Sequence, residues 1–323
     1  MSRVAGPWFD DLERGQLFAS SPYTLTDGRA AMHQAIVGDR FPLMLDAGAS
    51  NRVAGRRQIA HPSFVTDVAI GQSTQATQHV KANLFYRRLA LLKQPSIGET
   101  LHTTTEVVGL RENSRRPDRS PTGLAALRVT TVDDAARPVL DFYRCAMLPL
   151  RGDAETGHAD DLTAIGTDGP EPDLLRSVAG WNLREWRHLG APPVEGDVVQ
   201  VLGGDVVSSA PELARLTLNL ARVHHDAEVA GGRRLVYGGH TIGIAAAHVA
   251  RAVPDVVTVL GWDSCDHLAP VHEDDVLASV VQIGSIGPAV PGARIVRARV
   301  ITSVEGRDVL DWRVALLVAV PDA

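Results

Sequence analysis

Two stretches of this chain carry the same succession of apolar and polar runs. Ala125 to Val132 and Val139 to Leu150 read as two strands joined by Asp133-Asp134-Ala135-Ala136-Arg137-Pro138. Ala293 to Ser303 and Val309 to Val320 repeat the pattern around Glu305-Gly306-Arg307-Asp308. The second strand opens Val139-Leu140-Asp141-Phe142 in one copy and Val309-Leu310-Asp311-Trp312 in the other, an offset of 310 − 140 = 170. Upstream, Gly98-Glu99-Thr100-Leu101 is echoed by Asp274-Asp275-Val276-Leu277 at an offset of 274 − 98 = 176. Ile59-Ala60-His61-Pro62 is echoed by Val236-Tyr237-Gly238 at the same offset, 238 − 62 = 176. Similar spacing across three landmarks predicts an internal duplication.

Between the landmarks each copy holds one helical segment. Thr241 to Val253 is alanine-rich and apolar almost all round, which predicts a buried helix stopped by Pro254. Its counterpart is Ser63 to Thr77, just after Pro62, where proline suits a helix start. Glu212 to Leu220 reads as a shorter helical run. Arg151 to Asp173 is rich in Gly, Asp, Thr, Ala and Pro without periodicity and reads as a linker. The predicted organisation is therefore residues 1–150, a linker over 151–173, and residues 174–323. One long buried helix followed by antiparallel strands in each half is an α+β arrangement, a sheet wrapped around a helix.

Composition agrees with two well-packed units. The 323 residues are 45% hydrophobic and 22% charged, with aromatics at only 5%, so Val and Ala supply much of the core. A net charge of −6 argues against a nucleic-acid partner, which calls for a basic face. Cys145 and Cys265 lack CxxC spacing and read as reduced structural thiols. The N-terminus opens no apolar signal run and no apolar stretch is long enough to span a bilayer, so a cytoplasmic location and no membrane partner are expected.

The candidate chemistry lies in the second copy. His224 follows the short helical run, in Val223-His224-His225-Asp226; an imidazole here is either a proton carrier or a charge favourable to a helix end. Gly238 and Gly239 open the buried helix. Their first-turn amides lack internal acceptors and suit an oxyanion, or the pair merely makes a tight turn. In the first copy Pro62 stands where Gly238 does and has no amide hydrogen, and Met44 stands where His224 does. Asp39 is the ionisable group left there, and it reads equally as a turn aspartate. His224, His225, Asp226 and His240, or Asp263, Cys265, Asp266 and His267, lack recognised ligand spacing, so no metal is expected. Arg115, Arg116 and Arg119, with Arg87, Arg88 and Lys93, are either solvated or a clamp for ligand phosphates.

These residues resemble the MaoC-like (R)-specific enoyl-CoA hydratases, whose motif runs Gly-Asp-x-Asn-Pro-Leu-His-x-Asp and then Arg-Ile-Ala-His-Gly-Met before a buried central helix. Gly38-Asp39-x-Phe41-Pro42-Leu43-Met44-x-Asp46 matches except at the Asn and the His. Asn219 to Asp226 matches at His224 and Asp226, with Asn219 where the family has its aspartate, and Arg234-Leu235-Val236-Tyr237-Gly238 matches the oxyanion segment. Four further runs, Val68 to Thr74, Asn83 to Arg87, Pro121 to Arg128 and Gly261 to Leu268, are similar to the subgroup of mesaconyl-CoA hydratases and β-methylmalyl-CoA dehydratases.

The resemblance covers nearly the whole chain and implies a double hotdog, two fused hotdog domains whose sheets pair edge to edge. It implies reversible hydration of a 2-enoyl-CoA thioester such as mesaconyl-CoA, with no cofactor, since CoA is part of the substrate, and with a homo-oligomer left open. On this reading the working site belongs to the second half. His224 acts as general base, the Gly238 amide holds the thioester oxygen, and Asn219 orients water by accepting one of its hydrogens. Asp226, Asp39 and Gly239 are secondary candidates. Asp226, Asp263 or Asp39 would compensate for the missing carboxylate, and His240, Arg87, Arg115 and Arg116 are expected to bind substrate. His224→Ala is expected to abolish hydration and Asp39→Asn to leave most of it. A non-catalytic acyl-CoA-binding protein and a hotdog thioesterase are the competing expectations.

Overall fold

A computed structural model describes residues 6–56, 58–168 and 171–321. Residues 1–5 and 57 of the expected first domain, 169–170 of the linker and 322–323 of the second domain lie outside the described residues. The first half runs β1 (Leu17–Ala19), β2 (Tyr23–Thr24), α1 (Asp27–Val37), α2 (Pro42–Leu45), α3 (Ala47–Ala54), α4 (Pro62–Ser73), β3 (Ala82–Leu91), β4 (Thr100–Glu112), β5 (Thr122–Asp133) and β6 (Pro138–Pro149). The second runs β7 (Val198–Val206), α5 (Ala210–Leu216), α6 (Gly238–Ala252), β8 (Val256–His267), β9 (Val276–Val290), β10 (Ala293–Val304) and β11 (Arg307–Ala319).

The strands form one 11-stranded antiparallel sheet in the order β1-β4-β5-β6-β3-β8-β11-β10-β9-β7, with β2 also on β4. The order reads the same from either end once β3 is matched with β8, β6 with β11, β5 with β10, β4 with β9 and β1 with β7. The seam between the halves is the antiparallel pair β3–β8, with Tyr86 opposite Cys265 and Leu89 opposite Trp262. This is the double hotdog the motifs imply.

The long strands alternate because one face covers a helix and the other meets solvent or loops. β4 reads intermediate, buried, intermediate, buried along most of its length. The helices are α4 and α6. Every residue of α4 is buried, as is nearly every residue of α6, which is why both read as apolar all round. They share one core: Val68 and Ile70 of α4 belong to the same cluster as Ile242, Ala245, Ala246 and Val249 of α6.

The duplication holds in three dimensions. Pro62 and Gly238, 176 apart, are the first residues of α4 and α6. Tyr86 and Trp262, 262 − 86 = 176, sit on the two seam strands, and Phe142 and Trp312, 312 − 142 = 170, on the strands beside them. These four rings form one chain. Centroids lie 6.2 Å apart for Tyr86–Phe142, 6.0 Å for Tyr86–Trp262 and 5.6 Å for Trp262–Trp312. Such contacts hold the seam with large apolar area, and the two pairs that include Trp262 are edge-to-face.

Two sequence expectations change in detail. The helical run at Glu212 to Leu220 ends at Leu216, because the Thr217 hydroxyl turns back to the carbonyls of Leu213 and Ala214 and Leu218 takes φ 57°. The segment read as a linker is not free. The amide of Glu112 donates to the His158 carbonyl and that of Asp160 to the Leu110 carbonyl, so part of it continues the β4 edge.

Candidate active site

A cavity of about 710 Å³ opens beside the N-terminus of α6. Its walls come from both halves: Thr74, Tyr86 and Arg144 from the first, and Asn219, His224, Tyr237, Gly238, Thr241 and His267 from the second. This volume is in the range of small-molecule sites. Asn219, His224 and Gly238 come from the second half, and the first half builds a wall of the cavity. The loop bearing Asn219 and His224 is itself pinned to the first half. The Leu220 amide donates to the Thr74 hydroxyl at 2.7 Å, and the Arg222 amide to the Gln78 carbonyl at 3.1 Å.

His224 ends a one-turn helix over Arg222–His224 and is buried. Its Nδ1 lies 2.7 Å from the Leu235 carbonyl. A carbonyl only accepts, so Nδ1 carries the hydrogen and Nε2 keeps its lone pair. Burial lowers the imidazole pKa to about 4, partly offset by that bond, so the ring is neutral near pH 7. Its neighbour His225 turns away, with Nε2 on the Asn219 carbonyl at 2.8 Å.

Asn219 is buried at the cavity wall. Its Oδ1 accepts from the Ala221 amide at 2.9 Å, while Nδ2 has no partner. The expected role is thus reversed. The free group is the NH2, a donor, and it would hold a water by its oxygen rather than by a hydrogen.

Gly238 opens α6, so its amide has no acceptor within the helix and sits at the positive end of the dipole. A Cβ at this position would lie 2.5 Å from Nε2 of His267, too close to exist without displacing the ring. His267 ends β8, is only partly exposed as a whole residue, and has a buried Nε2 without a partner. Burial lowers its pKa to about 4, helped by His224. It is the functional candidate that the sequence reading passed over, except as a metal ligand. Nothing in its local sequence signals the role, because a strand end meets a helix start only in the folded chain.

The other expected residues lie elsewhere. Gly239 faces α4, where a Cβ would fall 2.0 Å from Oδ1 of Asp67, so this glycine serves helix packing. His240 is fully buried, with both ring nitrogens unpartnered, and does not line the cavity. Asp226 is exposed, caps the amides of Glu228 and Val229, and faces Arg222. Asp39 is buried between His33 and His61, at 3.3 and 3.4 Å. Asp263 pairs with Arg297 at 2.6 Å. Among the described residues no aspartate or glutamate lines the cavity, so the expected compensating carboxylate is not there.

The basic candidates are also placed differently. Arg87 stacks on Phe85 and donates to the carbonyls of Thr163 and Ile165. Arg115 donates to Glu112 and to the Ala154 carbonyl. Both fasten the segment after β6. Arg116 is exposed and outside the cavity. The cations at the cavity are Arg144 in its wall and the exposed Lys81. Among the described residues no three His, Cys, Asp or Glu side chains gather as metal ligands, and no helix is long and apolar enough to cross a membrane.

Burial of imidazoles makes stability depend on acid. His61, His224, His240 and His267 are each lowered to about 4, first by desolvation. Unfolded, they titrate near 6.5. Between these values the unfolded chain binds more protons, so stability falls as pH drops from about 6.5 toward 4. His33 opposes this in a different window. Burial would lower it, but Asp39 and Asp67 raise it to about 9, so its contribution is whole below about 6.5 and is lost as pH rises through 9. The urea midpoint is expected to be clearly lower at pH 5 than at pH 7.5. Equal midpoints would contradict neutral burial of the four.

No family model matches the chain. Its fold matches the solved structure of RV0216, a conserved hypothetical double-hotdog protein from Mycobacterium tuberculosis. The TM-score is 0.90 and the identity 49%, over 98% of this chain and 99% of that one. The β-methylmalyl-CoA dehydratase of Chloroflexus aurantiacus is 26% identical over 94% of this chain and 89% of its own length. The mesaconyl-CoA hydratase of Cereibacter sphaeroides is also 26% identical, over 95% and 92%. With the duplicated motif and the site at the start of α6, these likenesses identify the chain as a member of the MaoC-like double-hotdog hydratases and dehydratases.

Proposed function

We propose that this protein is a hydro-lyase that adds water reversibly to a 2-enoyl-CoA thioester, with mesaconyl-CoA or a close analogue as substrate. The observation that carries this reading is the pairing, in one cavity, of a neutral His224 whose Nε2 keeps its lone pair with the first-turn amide of α6 that has no acceptor within the helix. The relatives' names point the same way, since one is a hydratase and the other a dehydratase of branched acyl-CoA thioesters.

In the hydration direction His224 Nε2 takes a proton from water as the oxygen bonds to C3. The C2–C3 π pair shifts toward the thioester, and the Gly238 amide stabilises the oxygen as it becomes enolate-like. His224 then returns the proton to C2, so atoms and charge balance over the cycle. Asn219 Nδ2 donates to the water oxygen and leaves a lone pair for attack. His267 stands beside Gly238 as the second imidazole at the thioester end. With no carboxylate at the cavity, the histidine carries the proton in both steps. The reaction needs no cofactor, and the cytoplasm suits a CoA-dependent enzyme.

Incubation with crotonyl-CoA and with mesaconyl-CoA tests the reading. Loss of the enoyl absorbance without release of free thiol is expected. Thiol release instead would make the protein a thioesterase, and binding with neither signal would make it an acyl-CoA-binding protein; either result would overturn the proposal.

A further inference from the structure

Arg144 is a buried positive charge without a counter-charge. It lies on β6 with 3% of its surface exposed. Its Nη2 donates to the Thr77 hydroxyl, and Tyr86 stands beside it across the β6–β3 pair. Its other close neighbours, Tyr237 and Cys145, are neutral. Nε has no partner at all. A guanidinium stays protonated in proteins, so burial here strands a full charge, and desolvation holds its pKa down.

Other arginines of the same sheet are treated differently. Arg128 is held by both carboxylate oxygens of Asp141 and Arg299 by both of Asp311. Among the described residues no carboxylate pairs with Arg144. It lines the cavity, whose walls carry no acid and are more apolar than polar, so an anion placed there would meet an unscreened charge.

The duplication supplies an internal comparison. The residue equivalent to Arg144 is Val314, since 314 − 144 = 170, and the residue equivalent to Tyr86 is Trp262. Arg144 pairs with Tyr86 across β6–β3 as Val314 pairs with Trp262 across β11–β8. Val314 is buried. The architecture is thus satisfied by an apolar side chain at this place, and the cation occurs in the copy whose residue here lines the cavity.

We infer that Arg144 receives a second carboxylate, carried at the far end of the acyl group, and so selects dicarboxylic over monocarboxylic acyl-CoA thioesters. The planar fork suits bidentate capture of a carboxylate, and the Thr77 hydroxyl holds one arm of it in orientation. This rests on the reading of the cavity as an acyl-CoA site and names the feature of the substrate that the site selects.

Binding of saturated thioesters tests it without turnover. Succinyl-CoA and butyryl-CoA have the same chain length and differ by a carboxylate in place of a methyl. By calorimetry the protein is expected to bind succinyl-CoA about 10- to 100-fold more tightly, the scale of a hydrogen bond to a charged group. Arg144→Gln is expected to remove the preference and leave butyryl-CoA binding within a few-fold. The methyl ester of succinyl-CoA, tested on the unaltered protein, should bind like butyryl-CoA, which keeps the inference testable if the variant does not fold. Equal affinities in the unaltered protein, or a preference surviving in Arg144→Gln, would overturn the inference while leaving the acyl-CoA reading intact. No binding of any of the three thioesters would overturn both.

Discussion

Replacement of His224 by alanine is expected to lower kcat/KM for enoyl-CoA hydration by about 10³-fold or more, the upper part of the range for loss of a general acid–base group. In the proposed mechanism both proton transfers pass through one imidazole, because the unpartnered group of Asn219 is its NH2 and, among the described residues, no acid lines the cavity. Butyryl-CoA binding should change little, since the ring's contribution is to proton movement rather than to holding the acyl chain. The variant also loses the bond to the Leu235 carbonyl, so His224→Gln, whose amide can still donate there, separates folding from chemistry. Retention of full activity by a folded His224→Ala or His224→Gln protein would place the chemistry elsewhere.

Gly238→Ala is expected to be nearly as damaging, though for a steric reason. The new methyl would lie 2.5 Å from Nε2 and 2.9 Å from Cε1 of His267. That ring cannot simply turn away, because it packs edge-on against Tyr86 with centroids 5.9 Å apart. Either the helix start or His267 must move, and both stand where the thioester oxygen would be held. A fall in kcat of about 10² to 10³-fold is expected, as for loss of an oxyanion donor. A stability loss of about 1–3 kcal/mol from overpacking should accompany it. An unchanged kcat would show that the start of α6 takes no part in the reaction.

The first copy of the motif sets its carboxylate in a different environment. Asp39 and Asn219, 219 − 39 = 180, occupy equivalent places, as do Met44 and His224, 224 − 44 = 180. Around Asp39 the chain has gathered His33, His61 and Asp67, all buried; His33 bridges the two carboxylates, 3.3 Å from Asp39 and 2.9 Å from Asp67. The carboxylate that the second copy lacks is thus present in the first, but locked among imidazoles. Tyr237, beside the working glycine, donates to the Asp67 backbone carbonyl at 2.8 Å, so α6 is seated on this cluster.

Much of this was legible without coordinates. The two central helices, the paired terminal strands and the duplication follow from apolar periodicity and constant offsets, because each copy repeats the same local pattern of burial. His224 and Gly238 could be singled out as candidates for the same cavity, since a histidine after a helical turn and a glycine at a buried helix start are local patterns. The sequence by itself determined the duplicated hotdog and pointed to the half that pairs a histidine with a helix-opening glycine. Tertiary structure alone decided what else meets them. Arg144 and Tyr86 are brought to the cavity by the β6–β3 pairing and the β3–β8 seam, and His267 by a strand end arriving at a helix start. It likewise decided that Asn219 presents its NH2, because the Ala221 amide engages the oxygen. Apart from that local Asn219–Ala221 bond, these are contacts between residues tens to more than a hundred positions apart, set by strand register and the packing of two halves, and no local pattern encodes them.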